Sequence, residues 1–300
     1  MSPNWLTIEG KAIIKKGEIK FEPNKIDESG EDSLKNYRAT IIRSDQYFQS
    51  GEISFSAQIK SPKDKLQVRL GQDGATTVNL GLNPKGHAYG IAENINGRFQ
   101  PLSLQGIGIS PPTNEWLSIK VKYFGSTLEL YINDVLVAKA PINIHNSQVE
   151  IIYNGEKPAS IKNISLTTRN PQAFVVMQFS DEFDSLYREV IVPVCEEYGY
   201  EVVRADDMYT NGLIIEDITR AIENSSLVIA DITPNNPNVY YEVGYAHGIN
   251  KTTILLSDKD REKLPFDISG FRLLYYSNSI AGKSNVELAL RKHLESIKNS

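Results

Sequence analysis

The spacing of apolar residues changes once along the chain, near residue 170, and that change dictates two different folds. Up to Thr168, apolar and polar residues alternate in short runs separated by turns. From Ala173 onward, unbroken apolar runs are separated by stretches in which apolar residues recur every three or four positions. Period two sends successive side chains to opposite faces of a strand, whereas a period near 3.6 gathers them on one face of a helix. The change predicts two domains, 1–170 and 171–300. Thr168-Arg-Asn-Pro-Gln172 forms the boundary, where Asn and Pro end a strand. A chain of 300 residues is long enough for two separate cores.

In the first half, Ala12–Lys15, Glu18–Phe21, Ala39–Ile42, Gly51–Lys60, Leu66–Leu70 and Thr77–Leu82 read as strands. The cleanest is Gly51–Lys60, with Ile53, Phe55, Ala57 and Ile59 facing one way and Ser54, Ser56, Gln58 and Lys60 the other. Glu115–Tyr123 and Thr127–Ile132 form a hairpin, Val135–Lys139 follows Asn133-Asp134, and Ile161–Leu166 closes the series. Many short strands without a helical period predict an all-β sandwich. The run Trp116-Leu-Ser-Ile-Lys-Val-Lys-Tyr, then Leu-Glu-Leu-Tyr-Ile-Asn-Asp134 and Val-Leu-Val137, resembles laminin-G and concanavalin A-like jelly rolls. That resemblance implies a recognition or assembly module with a glycan or protein ligand. Asp73, Asn133 and Asp134 have the chemistry of calcium ligands but sit where turns need them anyway, and His87 and His145 lack metal-site spacing.

In the second half the predicted order is strand Ala173–Met177, helix Phe183–Val194 interrupted by Pro193, strand Tyr200–Arg204, and a helix opened by Asn211-Gly212. Strand Leu227–Ala230, helix Val239–Asn250, strand Thr253–Ser257, strand Phe271–Tyr276 and helix Val286–Ile297 complete it. Apolar strands alternating with helices predict a doubly wound, five-stranded parallel sheet in the flavodoxin-like order 2-1-3-4-5. Loops after the first and third strands, Gln178–Asp181 and Asp231–Asn238, then meet over one crevice. Glu242 is expected in the first turn of the helix that follows, where a helix dipole favours a carboxylate. Asn238 is expected to cap that helix, and Gly244-Tyr-Ala246 to let it approach the sheet closely. Asn-Pro-Asn is also ordinary turn chemistry, and a Glu near a helix start is often only a dipole partner. No Gly-x-Gly-x-x-Gly, Walker loop or Gly-x-Ser-x-Gly elbow is present.

Phe174-Val-Val-Met-Gln-Phe179, Arg204-Ala-Asp206, Gly212-x-Ile214, Ile229-Ala-Asp231 and Asn236-Pro-Asn-Val-Tyr-Tyr-Glu-Val-Gly-Tyr-Ala-His-Gly-Ile-Asn-Lys251 resemble the nucleoside 2-deoxyribosyltransferase-like proteins, relatives of the Toll/interleukin-1 receptor (TIR) group. The resemblance implies that Glu242 acts at the anomeric carbon of a ribosyl group, as nucleophile or stabiliser of an oxocarbenium-like state. It implies that Asp206, Asp231 and Asn238 position sugar hydroxyls or the leaving base, with either Asp as the candidate acid. Gln178, Phe179, Gly212, Asn235, Tyr241 and His247 complete the expected substrate-binding set, Phe179 or Tyr241 by stacking on a base. Substrates implied are a nucleoside, a nucleotide or NAD, with no cofactor and no metal. Transferases often carry a further carboxylate just before the Glu, where this chain has Asn235 and Asn236. That departure leaves open a non-catalytic nucleotide-sensing module or a TIR-like assembly module, and a homo-oligomer is expected.

A single cysteine, Cys195, excludes an internal disulfide and is expected to be buried. Residues 1–170 carry 20 Lys/Arg and 17 Asp/Glu, the remainder 12 and 20. An acidic second half argues against nucleic acid as partner, because a phosphate backbone needs a basic stripe. The lack of a signal-like N-terminus and of a long apolar run predicts a cytoplasmic protein that does not engage membranes.

Overall fold

The computed structural model describes residues 3–26, 37–71, 76–142, 144, 146–207, 214–261 and 273–299. The chain divides into two compact units, the change falling between Arg169 and Asn170.

The first unit is all strand: β1 (Trp5–Glu9), β2 (Lys11–Lys15), β3 (Glu18–Glu22), β4 (Asn24–Lys25), β5 (Tyr37–Arg38), β6 (Thr40–Phe48), β7 (Gly51–Gln58) and β8 (Lys65–Leu70). There follow β9 (Thr76–Leu82), β10 (His87–Ile95), β11 (Arg98–Ile107), β12 (Leu117–Phe124), β13 (Thr127–Ile132), β14 (Val135–Pro141), β15 (Ser147–Asn154) and β16 (Ala159–Thr168). Two seven-stranded sheets result, β1-β6-β15-β8-β9-β10-β11 and β14-β13-β12-β7-β16-β3-β2, and they form the expected β-sandwich. Alternation explains its core. Ile53, Phe55, Ala57 and Ile59 are all buried, and Ile53 and Phe55 pair across strands with Val121 and Ile119. Each such fully buried branched side chain contributes about 1.5–3 kcal/mol. Strands β10, β11 and β15 are additions to the expected series. Gly90, Pro101 and Gly106 blur the alternation of β10 and β11. In β15, Val149 to Tyr153 are buried without a break, so period two gives no signal. Asp73 and His145 lie outside the described residues.

The second unit contains β17 (Gln172–Val176), α1 (Asp181–Leu186), α2 (Val192–Glu197), β18 (Glu201–Arg204), α3 (Ile214–Asn224), β19 (Leu227–Asp231), α4 (Pro237–Gly248), β20 (Thr253–Asp258), β21 (Leu273–Tyr276) and α5 (Ile280–Asn299). Its sheet is parallel, with order β18-β17-β19-β20-β21, which is the expected 2-1-3-4-5. Helices cover both faces. One core joins α1, α2 and α5 to the sheet through residues such as Ile191, Leu227 and Leu290, and the other joins α3 and α4 through Ile222, Val228 and Val243. Cys195 is buried in the first of these, which pushes its thiol up to about 12.

Five local expectations are corrected. The break expected at Pro193 falls one turn earlier as a π-helical turn, Tyr187–Ile191, between α1 and α2. Proline lacks the N–H that would continue the ladder, and the widened turn accommodates its ring. Asn236, not Asn238, caps α4, its side chain accepting from the Asn238 N–H at 3.0 Å. Pro237 then occupies the first helical position, which suits a residue without an N–H. Glu242 therefore lies in the second turn, and no acidic residue occupies the first. Gly244 faces solvent and a Cβ there would meet nothing within 4 Å, so close approach to the sheet rests on the fully buried Ala246. Helix α5 begins before Val286 because the Ser279 hydroxyl accepts from the Gly282 N–H at 3.1 Å.

Candidate functional site

At the C-terminal ends of β17 and β19 the chain leaves the sheet in opposite directions, α1 to one face and α4 to the other. That divergence opens a crevice. Asn236 Nδ2 donates to Gln178 Oε1 at 3.4 Å, so the two expected loops do meet there. Asn235 is exposed on the loop and Asn238 in the first turn of α4, and Phe179 and Tyr241 are exposed aromatic rings.

Glu242 is half-buried on α4 between the buried Val239 and Ala246. Its carboxyl is raised to about 7 by burial alone, and among the described residues it has no hydrogen-bond or ion-pair partner. An unpartnered carboxyl in a partly dry setting is costly for stability, which marks it as a candidate for chemistry. His247 follows five residues later, a rotation of about 140° at 3.6 residues per turn, so it does not share a face with Glu242. Burial lowers the His247 pKa.

The two expected acids are engaged elsewhere. Asp231, at the end of β19, is fully buried. It accepts from the Thr233 N–H at 2.9 Å, the Thr233 hydroxyl at 2.5 Å and the Tyr276 hydroxyl at 2.7 Å. Burial raises its pKa while those donors oppose the rise. Thr233 in turn accepts from the Asp258 N–H at 2.9 Å, so the root of the loop is fixed to β20 and β21. Asp206, after β18, is clamped by the buried Arg204, whose Nε and Nη2 donate to its two oxygens at 2.6 and 2.5 Å. Arg204 also donates to Asp184 at 2.7 Å, which holds the Asp184 carboxyl below its usual range. The guanidinium lies 4.2 Å from the Tyr187 ring centre and 5.3 Å from that of Phe179. Phe179 is thereby stacked on an arginine. Gly212 lies outside the described residues.

The contacts of three residues escaped the sequence reading. Arg204 and Tyr276 come close to Asp184 and Asp231 only through sheet order. Lys251, the last residue of the Glu-x-Gly-x-Ala-x-x-x-x-Lys element, donates instead to the carbonyls of Glu223 and Ser225 at 2.9 and 2.7 Å. It closes the C-terminal end of α3, and burial depresses its pKa to about 8. Asn236 was within reach of sequence reasoning, since Asn before Pro is a helix-start signal.

No protein-family model matches the chain, and no curated protein matches it. Solved structures do. A carbohydrate-binding module of Bacillus subtilis is 13% identical, with a TM-score of 0.43 over 54% of this chain and 94% of that one. A β-glucanase of Bacillus licheniformis is 13% identical, with a TM-score of 0.40 over 55% and 92%. A galectin of Caenorhabditis elegans is 11% identical, with a TM-score of 0.30 over 41% and 89%. Among the described residues, no group of three or more His, Cys, Asp or Glu is placed to hold a metal ion. No described helix is long and apolar enough to cross a membrane.

Proposed function

We propose that the α/β unit cleaves or transfers at the N-ribosyl bond of a nucleoside, nucleotide or NAD, with Glu242 as nucleophile or oxocarbenium stabiliser. The observation that carries this reading is the unpartnered, half-buried Glu242 carboxyl on the helix that leaves the switch-point crevice. Breaking an N-glycosidic bond develops positive charge at the anomeric carbon, and a carboxylate beneath that carbon stabilises it directly or covalently. The resemblance to nucleoside 2-deoxyribosyltransferase-like proteins supports the same assignment. Gln178 and the Asn235–Asn238 loop would bind the sugar, and Phe179 or Tyr241 would stack on the base. The test is chromatographic. NAD, ribonucleosides, deoxyribonucleosides and nucleotides are offered to wild type and Glu242→Gln, and base release should fall about a hundredfold or more in the variant. Undiminished release in Glu242→Gln would discard the mechanism.

A second reading has its own support, because neither Asp206 nor Asp231 is free to protonate a leaving base. A nucleotide-binding signalling module, with saturable binding and no product, is the outcome that the same panel would then give.

For the sandwich we propose a recognition role with a glycan or protein ligand. On the face opposite the core, Glu150 accepts from Arg43 at 2.9 and 2.7 Å and from Arg69 at 3.3 Å, while Arg69 Nε donates to Asn79 at 3.3 Å. Glu150 is buried while Arg43 stays partly exposed, and guanidinium N–H groups held in this way suit hydroxyl-rich ligands. A glycan array should show binding that weakens about tenfold or more in Arg43→Ala. No signal with any glycan would move the assignment to a protein ligand.

A further inference from the structure

A cavity of about 240 Å³ opens in the second unit at the C-terminal ends of β19, β20 and β21, between α1 and the start of α5. Of the two crevice loops only Thr233 reaches it, and Glu242, Gln178, Asp206 and Asn236 are all absent from its lining. Its apolar lining comes from Phe183, Leu186, Val190, Tyr276 and Val286. Ser185, Ser277 and Asn278 also line it, and none of these side chains has a hydrogen-bond partner among the described residues. An apolar floor below a few convergent polar groups is the general form of a small-molecule site. We propose that this cavity is a second small-molecule site, separate from Glu242, that takes an uncharged or cationic ring compound bearing hydroxyl or amide groups.

Size and charge set the ligand class. The volume lies below the range of roughly 300–1,000 Å³ that holds drug-sized ligands, so one ring system with a polar substituent suffices to fill it. Three charged side chains reach the cavity. Glu189 and Lys283 neutralise one another at 2.9 Å. Asp258 remains, its carboxylate accepting from the Asp260 N–H at 2.8 Å and without a cation paired to it in the lining. At the positive end of α5 the Ser279 hydroxyl accepts from the Gly282 N–H, which leaves an anion one donor fewer there. A phosphate would therefore meet uncompensated negative charge, whereas ribosyl hydroxyls or a ring amide would find Ser185, Ser277 and Asn278. The hydroxyls of Thr233 and Tyr276, committed to Asp231, leave only their apolar parts to the ligand.

Calorimetric titration of the full chain tests this. The probes are adenosine, cytidine and the cation nicotinamide riboside, each beside its 5′-monophosphate. Saturable binding of at least one unphosphorylated probe is expected in wild type and in Glu242→Gln alike, with the matching monophosphate at least about tenfold weaker. Ser185 is exposed on α1, so Ser185→Trp should fill the mouth without disturbing the core and lower affinity about tenfold or more. Asn278→Ala removes a polar partner without adding bulk and should weaken binding in the same direction. Circular dichroism melts confirm that both variants fold. The inference is overturned if no probe binds, if the monophosphates bind as tightly, or if binding disappears in Glu242→Gln while surviving in both cavity variants. This last result would place all binding at the crevice. Base release depending on Glu242 can stand or fall independently of any of these outcomes.

Discussion

The role proposed for Glu242 would couple its chemistry to the stability of the fold. An unfolded chain ionises this carboxyl near 4.5, whereas burial in the folded chain raises it to about 7. Between those values the unfolded chain binds fewer protons, so stability falls as pH rises through the interval. Glu242→Gln should leave urea midpoints unchanged at pH 4 and raise stability by roughly 1–3 kcal/mol at pH 8. Base release should rise over the same interval as the carboxylate forms, with a midpoint near 7, because the proposed nucleophile is the ionised form. Equal denaturant midpoints for the two proteins at pH 8 would contradict the desolvated setting. Glu242 was legible in the sequence because a polar loop after an apolar strand, followed by a helix, is a local signal. The engagement of Asp206 and Asp231 was not. Tyr276 reaches Asp231 across 45 residues and Arg204 reaches Asp184 across 20, and both meetings are decided by the order of strands in the sheet. An aspartate at a strand end looks the same in sequence whether it faces a ligand or is tied down by its neighbours.

At the scale of elements, what period and turn chemistry encode was recoverable, and what long-range pairing encodes was not. Strand β7 and the β12–β13 hairpin follow from alternation, and the five strands of the parallel sheet follow from unbroken apolar runs. Strand β15 sits in the middle of its sheet, and its continuous burial removes the alternation that would have announced it. The C-terminal end of α3 shows the same limit. Its last carbonyls are satisfied by Lys251, which arrives from beyond the next strand and helix. Lys251→Met should keep the buried aliphatic stem but strand two carbonyl groups, at a cost of about 1–3 kcal/mol. Hydrogen exchange should locate the added opening in α3, and a loss spread evenly over the unit would argue against this capping role.

For the whole molecule, the single change of hydrophobic period distinguished a sandwich from a doubly wound sheet, and the order 2-1-3-4-5 followed from the helix-strand alternation. The sandwich's own order was beyond reach, since its strands pair across large distances in the sequence. Strand β15 joins β6 to β8, and β16 joins β7 to β3. A chain cut after Asn146 therefore leaves each sheet in two pieces. Such a fragment should bind a hydrophobic dye and unfold without a cooperative transition, and a sharp melt would contradict the bridging role of these strands. The same arrangement has a consequence during synthesis. At about 5–20 residues per second, the ribosome needs roughly 7–30 s to reach the strands that join the half-sheets. Until then the nascent chain carries open edges with nothing to pair with, and those are the surfaces that invite aggregation. The α/β unit makes the interior strand β17 first, then pairs β18 on one side and β19 on the other as they emerge. The demand for a chaperone should therefore be concentrated in the first half of translation.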